Sequence, residues 1–104
     1  MRAALVLLLR SLGYVPIPAA SVAEGVARLD GQIAAILDLE LPDGLGTLIL
    51  ARIRAERRPI RVAITSGTTD DAALAEAHRL RPELFMRKPI DVEALIDWLN
   101  AERE

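Results

Sequence analysis

The sequence predicts an α/β fold in which helices cover a parallel sheet. Three apolar runs, residues 33–37, 60–64 and 84–86, are bounded by turn-forming residues, as is typical of strands buried on both faces. Segments with helical spacing of apolar residues separate these runs, and strand–helix alternation is typical of α/β domains. The length of 104 residues suits one core, so we expect a single domain over residues 1–104.

Composition narrows the class of protein further. Hydrophobic residues make up 52% of the chain and aromatic residues only 3%, so the predicted core is aliphatic. A net charge of -2 gives no basic surface for nucleic acid. The absence of cysteine excludes disulfides and thiolate metal sites and fits a cytoplasmic protein. The longest apolar run, residues 3–9, is too short to cross a bilayer, so we expect no membrane partner.

The first forty residues predict two helices and an outer strand. Leucines at helical spacing predict a helix over residues 2–12, with a strand over residues 3–9 as the rival interpretation. Residues 14–18 predict an edge strand, because their two prolines cannot donate to a ladder. Ser21 and Glu24 form the capping-box pattern of a helix that runs to about residue 29.

The second half of the chain predicts three more helices. One spans about residues 45–57, with Leu48, Ile49 and Ile53 facing inward. Another spans about residues 70–79, with Thr68 or Thr69 as its cap, and Asp91 caps the last helix.

Three chemically distinct side chains follow the three central strands. Asp38 ends the first strand, Thr65 ends the second, and Lys88 follows the third. The carboxyl ends of parallel strands meet at one edge of the sheet, where α/β proteins place their ligands. A carboxylate nucleophile beside a hydroxyl and an ammonium group suits phosphoryl transfer. Lys88 is also the only lysine among thirteen basic residues.

These motifs resemble the receiver domains of two-component response regulators. The matching segments are LDLELPDGLG around Asp38, ITSG around Thr65 and FMRKPID around Lys88. The resemblance implies a flavodoxin-like three-layer α/β/α sandwich. It also implies that Asp38 accepts a phosphoryl group from a histidine kinase or phosphotransfer protein, with Thr65 and Lys88 holding its oxygens. Thr65 and Phe85 match the family's switch residues, and we expect a signalling protein rather than an enzyme.

The sequence departs from the family pattern at its beginning. Receivers start with a strand that ends in an acidic pair, which binds Mg²⁺, whereas this sequence starts at the family's first helix. Asp38 and the backbone carbonyl of Glu40 are then the remaining ligands of an incomplete Mg²⁺ site. The family's first strand lies between the second and the third. Without it, strand 33–38 has an open edge, and we expect a homodimer that covers this edge or the first helix.

Two functions therefore remain open from the sequence. The first is a phosphorylated receiver that signals by protein–protein contact. The second is a degenerate, phosphorylation-independent receiver that serves as an interaction or dimerisation module. A misassigned start, with the first strand encoded upstream, is a third explanation of the departure.

Overall fold

A computed structural model describes the backbone of residues 2–101 and the side chains of residues 4–101. Within these residues there are five helices and five strands. The helices are α1 (Arg2–Ser11), α2 (Val22–Ala27), α3 (Thr47–Ala55), α4 (Asp71–Arg79) and α5 (Val92–Ala101). The strands are β1 (Ala34–Asp38), β2 (Glu40–Leu41), β3 (Gly44–Leu45), β4 (Arg61–Ser66) and β5 (Leu84–Arg87).

The main sheet is parallel and has the strand order β1-β4-β5. Its register places Asp38 beside Thr65, and Thr65 beside Met86. The short strands β2 and β3 form a separate antiparallel hairpin directly after β1. This architecture confirms the predicted α/β fold with its parallel sheet, and it brings the carboxyl ends of three strands to one edge.

Helices pack on both faces of the sheet because the central strand is apolar on both. In β4, Val62, Ala63 and Ile64 are completely buried. One continuous core cluster joins alternate residues of β4 to buried side chains of α3 and α4. Buried residues of α1 and α5, including Leu9 and Leu95, lie outside that cluster. The aliphatic core predicted from composition is confirmed.

The predicted strand over residues 14–18 is wrong. These residues have no regular secondary structure. In the described part of the chain, β1 is the edge of the sheet, and no further strand lies beside it. A strand needs a ladder partner, and two of these five residues are prolines without an N–H group. The segment therefore stays irregular.

The predicted helices are present, with two errors of detail. Leu48 was expected to face inward, yet it is 54% exposed, whereas Leu50 is fully buried. The cap of α4 is neither Thr68 nor Thr69 but Asp70, whose carboxylate accepts the N–H of Ala72 at 3.0 Å. A carboxylate accepts this bond well, and the charge also favours the helix N-terminus.

Two predicted caps and one helix assignment are confirmed. Ser21 Oγ accepts the N–H of Glu24 at 3.1 Å, and Asp91 accepts the N–H of Ala94 at 3.0 Å. Residues 3–9 are helical, so the rival strand interpretation is wrong. In the part of the chain that the structure describes, no helix has the length and hydropathy needed to cross a membrane.

The loop after β1 is tied to α2 through Asp43. Its two carboxylate oxygens accept the N–H groups of Val22 at 2.7 Å and Ala23 at 3.2 Å. These backbone hydrogen bonds hold the pKa of Asp43 below its usual value. The sequence predicted a turn at this loop without predicting that it caps a helix. The contact fixes the loop that follows Asp38.

Candidate functional site

Asp38 lies at the carboxyl end of β1 with its carboxylate held at both oxygens. Oδ1 accepts the N–H of Glu40 at 3.1 Å, and Oδ2 accepts a hydrogen bond from Lys88 Nζ at 2.8 Å. The side chain remains 38% exposed. Asp38 is thus oriented by the protein yet open to a partner molecule, as a nucleophile toward a large substrate must be.

Lys88 reaches Asp38 from the loop after β5. Its backbone N–H donates to the carbonyl of Ser66 at 2.8 Å, which continues the β4–β5 ladder by one residue. The Lys88–Pro89 peptide bond is cis. The sequence placed Lys88 and Asp38 at the same edge, and the structure joins them in an ion pair fifty residues apart.

Thr65 lies beside Asp38 in the sheet but is turned away from solvent. It is only 3% exposed, and its hydroxyl donates to the carbonyl of Leu37 at 3.5 Å. The hydroxyl is therefore in a weak hydrogen bond. Breaking this hydrogen bond costs little free energy if the hydroxyl then forms a stronger one with an anionic oxygen.

Phe85, the predicted switch aromatic, is half-buried at the second position of β5. Its ring lies 4.5 Å from the ring of His78 in α4, measured between centroids. Phe85 also packs against the core cluster. The structure thus places the aromatic between the sheet and α4, two strands away from Asp38.

The described residues do not fit a Mg²⁺ ion. Among them, no group of three or more His, Cys, Asp or Glu side chains could hold a metal. Asp38 and the carbonyl of Glu40 supply one side chain and one backbone oxygen, whereas Mg²⁺ requires near-octahedral oxygen ligation. The Lys88 ammonium already neutralises one oxygen of Asp38.

Ser66 is a site residue that sequence reasoning missed. It is 1% exposed, and its Oγ accepts the N–H of Thr68 at 3.1 Å, while its carbonyl accepts the N–H of Lys88. Ser66 therefore orders the loop after β4 and anchors Lys88. In the sequence Thr65-Ser66-Gly67, the Ser66 hydroxyl was visible, but only Thr65 was predicted to belong to the site.

Gly46 allows the hairpin to close over Asp38. A Cβ at this position would overlap the carbonyl oxygen of Asp38 and lie 3.1 Å from its carbonyl carbon. We expect Gly46→Ala to lower the free energy of unfolding by about 2 kcal/mol, since backbone must move to admit the methyl group. Urea unfolding measures this change. Gly67→Ala is the control, because its Cβ would meet nothing closer than Lys88 Cδ at 3.6 Å. Equal stability of Gly46→Ala and the parent would contradict the close approach.

The fold and this edge define a parallel α/β domain with a carboxylate, a lysine and a buried threonine at three neighbouring strand ends. The response regulator receiver domain family matches residues 1–100. The chain belongs to this family. The acid tolerance regulatory protein ActR of Rhizobium meliloti (strain 1021) is 30% identical over 86 residues, which are 81% of this chain and 44% of that protein. The chain thus spans less than half the length of the curated relatives it matches.

Solved receiver structures share the fold. A response regulator receiver protein from Pseudomonas putida is 30% identical, with a TM-score of 0.85 over 96% of this chain and 86% of that one. A CheY-like receiver domain protein from Methanospirillum hungatei JF-1 gives a TM-score of 0.86 at 20% identity, over 97% and 82% of the two chains. At this identity, the similarity to the Methanospirillum hungatei structure shows the fold alone.

Proposed function

We propose that this chain is a phosphorylated receiver of a two-component system, with Asp38 as the acceptor. The supporting observation is the ion pair between Lys88 Nζ and Asp38 Oδ2 at 2.8 Å, formed at a half-exposed strand end. An aspartate that merely ended a strand would not require an ion pair with a lysine. The proposed donor is a phosphohistidine on a histidine kinase or phosphotransfer protein.

In the proposed reaction, a carboxylate oxygen of Asp38 attacks the phosphorus of the phosphohistidine. The new P–O bond forms as the P–N bond breaks, and the imidazole leaves with the electron pair. Lys88 stays close enough to exchange its bond to Asp38 for one to a phosphoryl oxygen. The Thr65 hydroxyl, held only weakly by the Leu37 carbonyl, is the second donor.

Phosphorylation would change the charge at this edge and bias the neighbouring loops. The acyl phosphate carries more negative charge than the carboxylate and three strong acceptor oxygens. A turn of the Thr65 side chain toward the phosphoryl group would break its weak bond to the Leu37 carbonyl. The resulting surface would signal by protein–protein contact.

Phosphoryl uptake at Asp38 tests this function. We expect the parent to gain one phosphoryl group from acetyl phosphate in buffer with magnesium, and Asp38→Asn to gain none, because an amide is not a nucleophile for phosphorus. Asp43→Asn is the matched control, since Asp43 lies in the loop after β1 and accepts α2 backbone N–H groups, one of which an asparagine oxygen still accepts. A phosphate-affinity gel measures uptake. Equal uptake by Asp38→Asn would overturn the assignment.

A phosphorylation-independent interaction module is the second candidate. Two observations favour it: Lys88 already neutralises Asp38, and the described residues hold no cluster of three metal ligands. Phosphoryl transfer commonly uses a divalent cation to neutralise developing charge. A folded parent that gains no phosphoryl group would favour this candidate. The predicted homodimer belongs to either function and stays a prediction.

A further inference from the structure

The helices α3 and α4 are each followed by an arginine in a backbone conformation that favours glycine. Arg57 lies just beyond α3 and Arg81 just beyond α4, and each has a φ of 53°. In this left-handed region Cβ comes too close to the following carbonyl oxygen, so glycine is the usual residue there. Residues other than glycine that are held in this region cluster at functional sites.

The end of α1 shows the same turn made with glycine. Gly13 has a φ of 91°, and its N–H donates to the carbonyl three residues earlier at 3.1 Å. The N–H groups of Arg57 and Arg81 also donate to the carbonyls three residues earlier, in each case at 3.1 Å. The turn itself therefore does not require arginine at either position.

Arg57 and Arg81 lie on the edge of the domain opposite Asp38. Arg57 is four residues before the start of β4 and Arg81 three residues before the start of β5, so both are near the amino ends of strands. Arg54 links the two turns, since its Nη2 donates to the Arg81 carbonyl at 2.6 Å and its Nε to the Leu80 carbonyl at 3.1 Å. Arg57 and Arg81 are both exposed. They form one surface, the amino edge, which is separate from the acceptor site.

The other charged side chains near these two turns neutralise one another. They are four arginines and four carboxylates, joined in the ion pairs Arg52–Glu56, Arg58–Glu56, Arg58–Asp30, Arg54–Glu83 and Arg79–Glu76. Within residues 4–101, no ion pair includes Arg57 or Arg81. The amino edge therefore presents two guanidinium groups whose charge no carboxylate of the described chain neutralises.

We infer that the amino edge binds an acidic segment of a partner protein, whose carboxylates pair with Arg57 and Arg81. A guanidinium group presents a planar fork of N–H donors that matches the two oxygens of a carboxylate. Charge complementarity of this kind selects a partner and orients it.

A protein segment fits the amino edge better than a membrane or a nucleic acid does. Two cations without an ion pair are fewer than the roughly 4–8 basic residues of a cluster that binds anionic lipid. The net charge of -2 gives no wider positive field to hold a phosphate backbone. Asp38 lies at the opposite edge, so binding here is independent of phosphoryl uptake.

Glycine substitutions distinguish a binding role of the two arginines from a structural one. Arg57→Gly and Arg81→Gly should each raise the melting temperature by about 2 °C, because glycine adopts the left-handed conformation without strain. Scanning calorimetry measures this shift. A lower melting temperature for either variant would show that the arginine stabilises the fold, and it would overturn the inference.

The binding test uses a fluorescein-labelled deca-glutamate peptide, titrated with the full chain in about 20 mM sodium chloride and followed by fluorescence anisotropy. We expect saturable binding that Arg57→Gly and Arg81→Gly each weaken at least about fivefold, because each removes one ion pair with the peptide. Arg87→Ala is the matched control. It removes the same charge from an exposed position at the carboxyl end of β5, so affinity should change less than about twofold.

Two further probes separate the possible occupants of the amino edge. Labelled deca-thymidylate and vesicles containing phosphatidylserine are titrated in the same buffer, and both should bind more weakly than the peptide. Tighter binding of either probe overturns the inference and assigns the edge to nucleic acid or to membrane. Absence of saturable peptide binding, or equal weakening by Arg87→Ala, overturns it as well.

Discussion

Lys88→Ala should slow phosphoryl uptake at Asp38 by about 100-fold, the size of effect seen when one preorganised donor to a transition-state oxygen is removed. Lys88 Nζ lies 2.8 Å from Asp38 Oδ2 and forms an ion pair with this carboxylate. Removing it leaves the phosphoryl oxygens without the ammonium group. The initial rate of uptake from acetyl phosphate measures the change.

Arg87→Ala is the control for Lys88→Ala. Arg87 is the neighbouring residue, is exposed, and carries the same charge, but among the described residues Asp38 forms its ion pair with Lys88 and not with Arg87. Its loss should change the rate less than about twofold if the effect of Lys88 is local rather than due to net charge. Lys88→Arg should recover only part of the rate, because a rigid guanidinium fork does not replace a compact ammonium group. Full activity of Lys88→Ala would show that Lys88 only neutralises Asp38 in the resting state.

Leu50→Ala should lower the free energy of unfolding by about 3 kcal/mol, within the range measured for buried Leu→Ala substitutions. Leu50 is fully buried in α3 and belongs to the core cluster that joins α3 to β4 and α4. Its truncation removes apolar contacts and leaves a cavity in this core cluster. Chemical denaturation followed by circular dichroism measures the change.

Leu48→Ala is the matched control for this prediction, two residues earlier in the same helix. Leu48 is 54% exposed, so its truncation should cost less than about 1 kcal/mol, with part of the loss offset by the better helix propensity of alanine. A larger loss for Leu48→Ala than for Leu50→Ala would contradict the orientation of α3. It would support the inward Leu48 expected from the sequence instead.

The sequence could predict the strands and the site because local signals there are strong. The three apolar runs end at turn signals, and parallel strands bring their ends together by topology alone. Asp38, Thr65 and Lys88 were therefore placed correctly relative to one another. Their distances could not be predicted, because the ion pair joins residues fifty positions apart.

The errors have a common physical cause, which is that tertiary contacts decide between local alternatives. Residues 14–18 have a strand-like pattern, but no ladder partner lies beside them in the described structure. Leu48 and Leu50 are equally apolar, and only the docking of α3 on β4 determines which is buried. Asp43 has the sequence context of a turn residue, and its bonds to the first two N–H groups of α2 depend on a contact between segments about twenty residues apart.

The most direct test of the central claim is to locate the phosphoryl group after reaction of the parent with acetyl phosphate. Borohydride reduction converts an aspartyl phosphate to homoserine, so peptide mapping by mass spectrometry identifies the modified residue. We expect homoserine at position 38 and aspartate at position 43. Homoserine at another position, or unmodified Asp38 in a folded protein, would contradict the claim that the Asp38–Lys88 edge is a phospho-acceptor site.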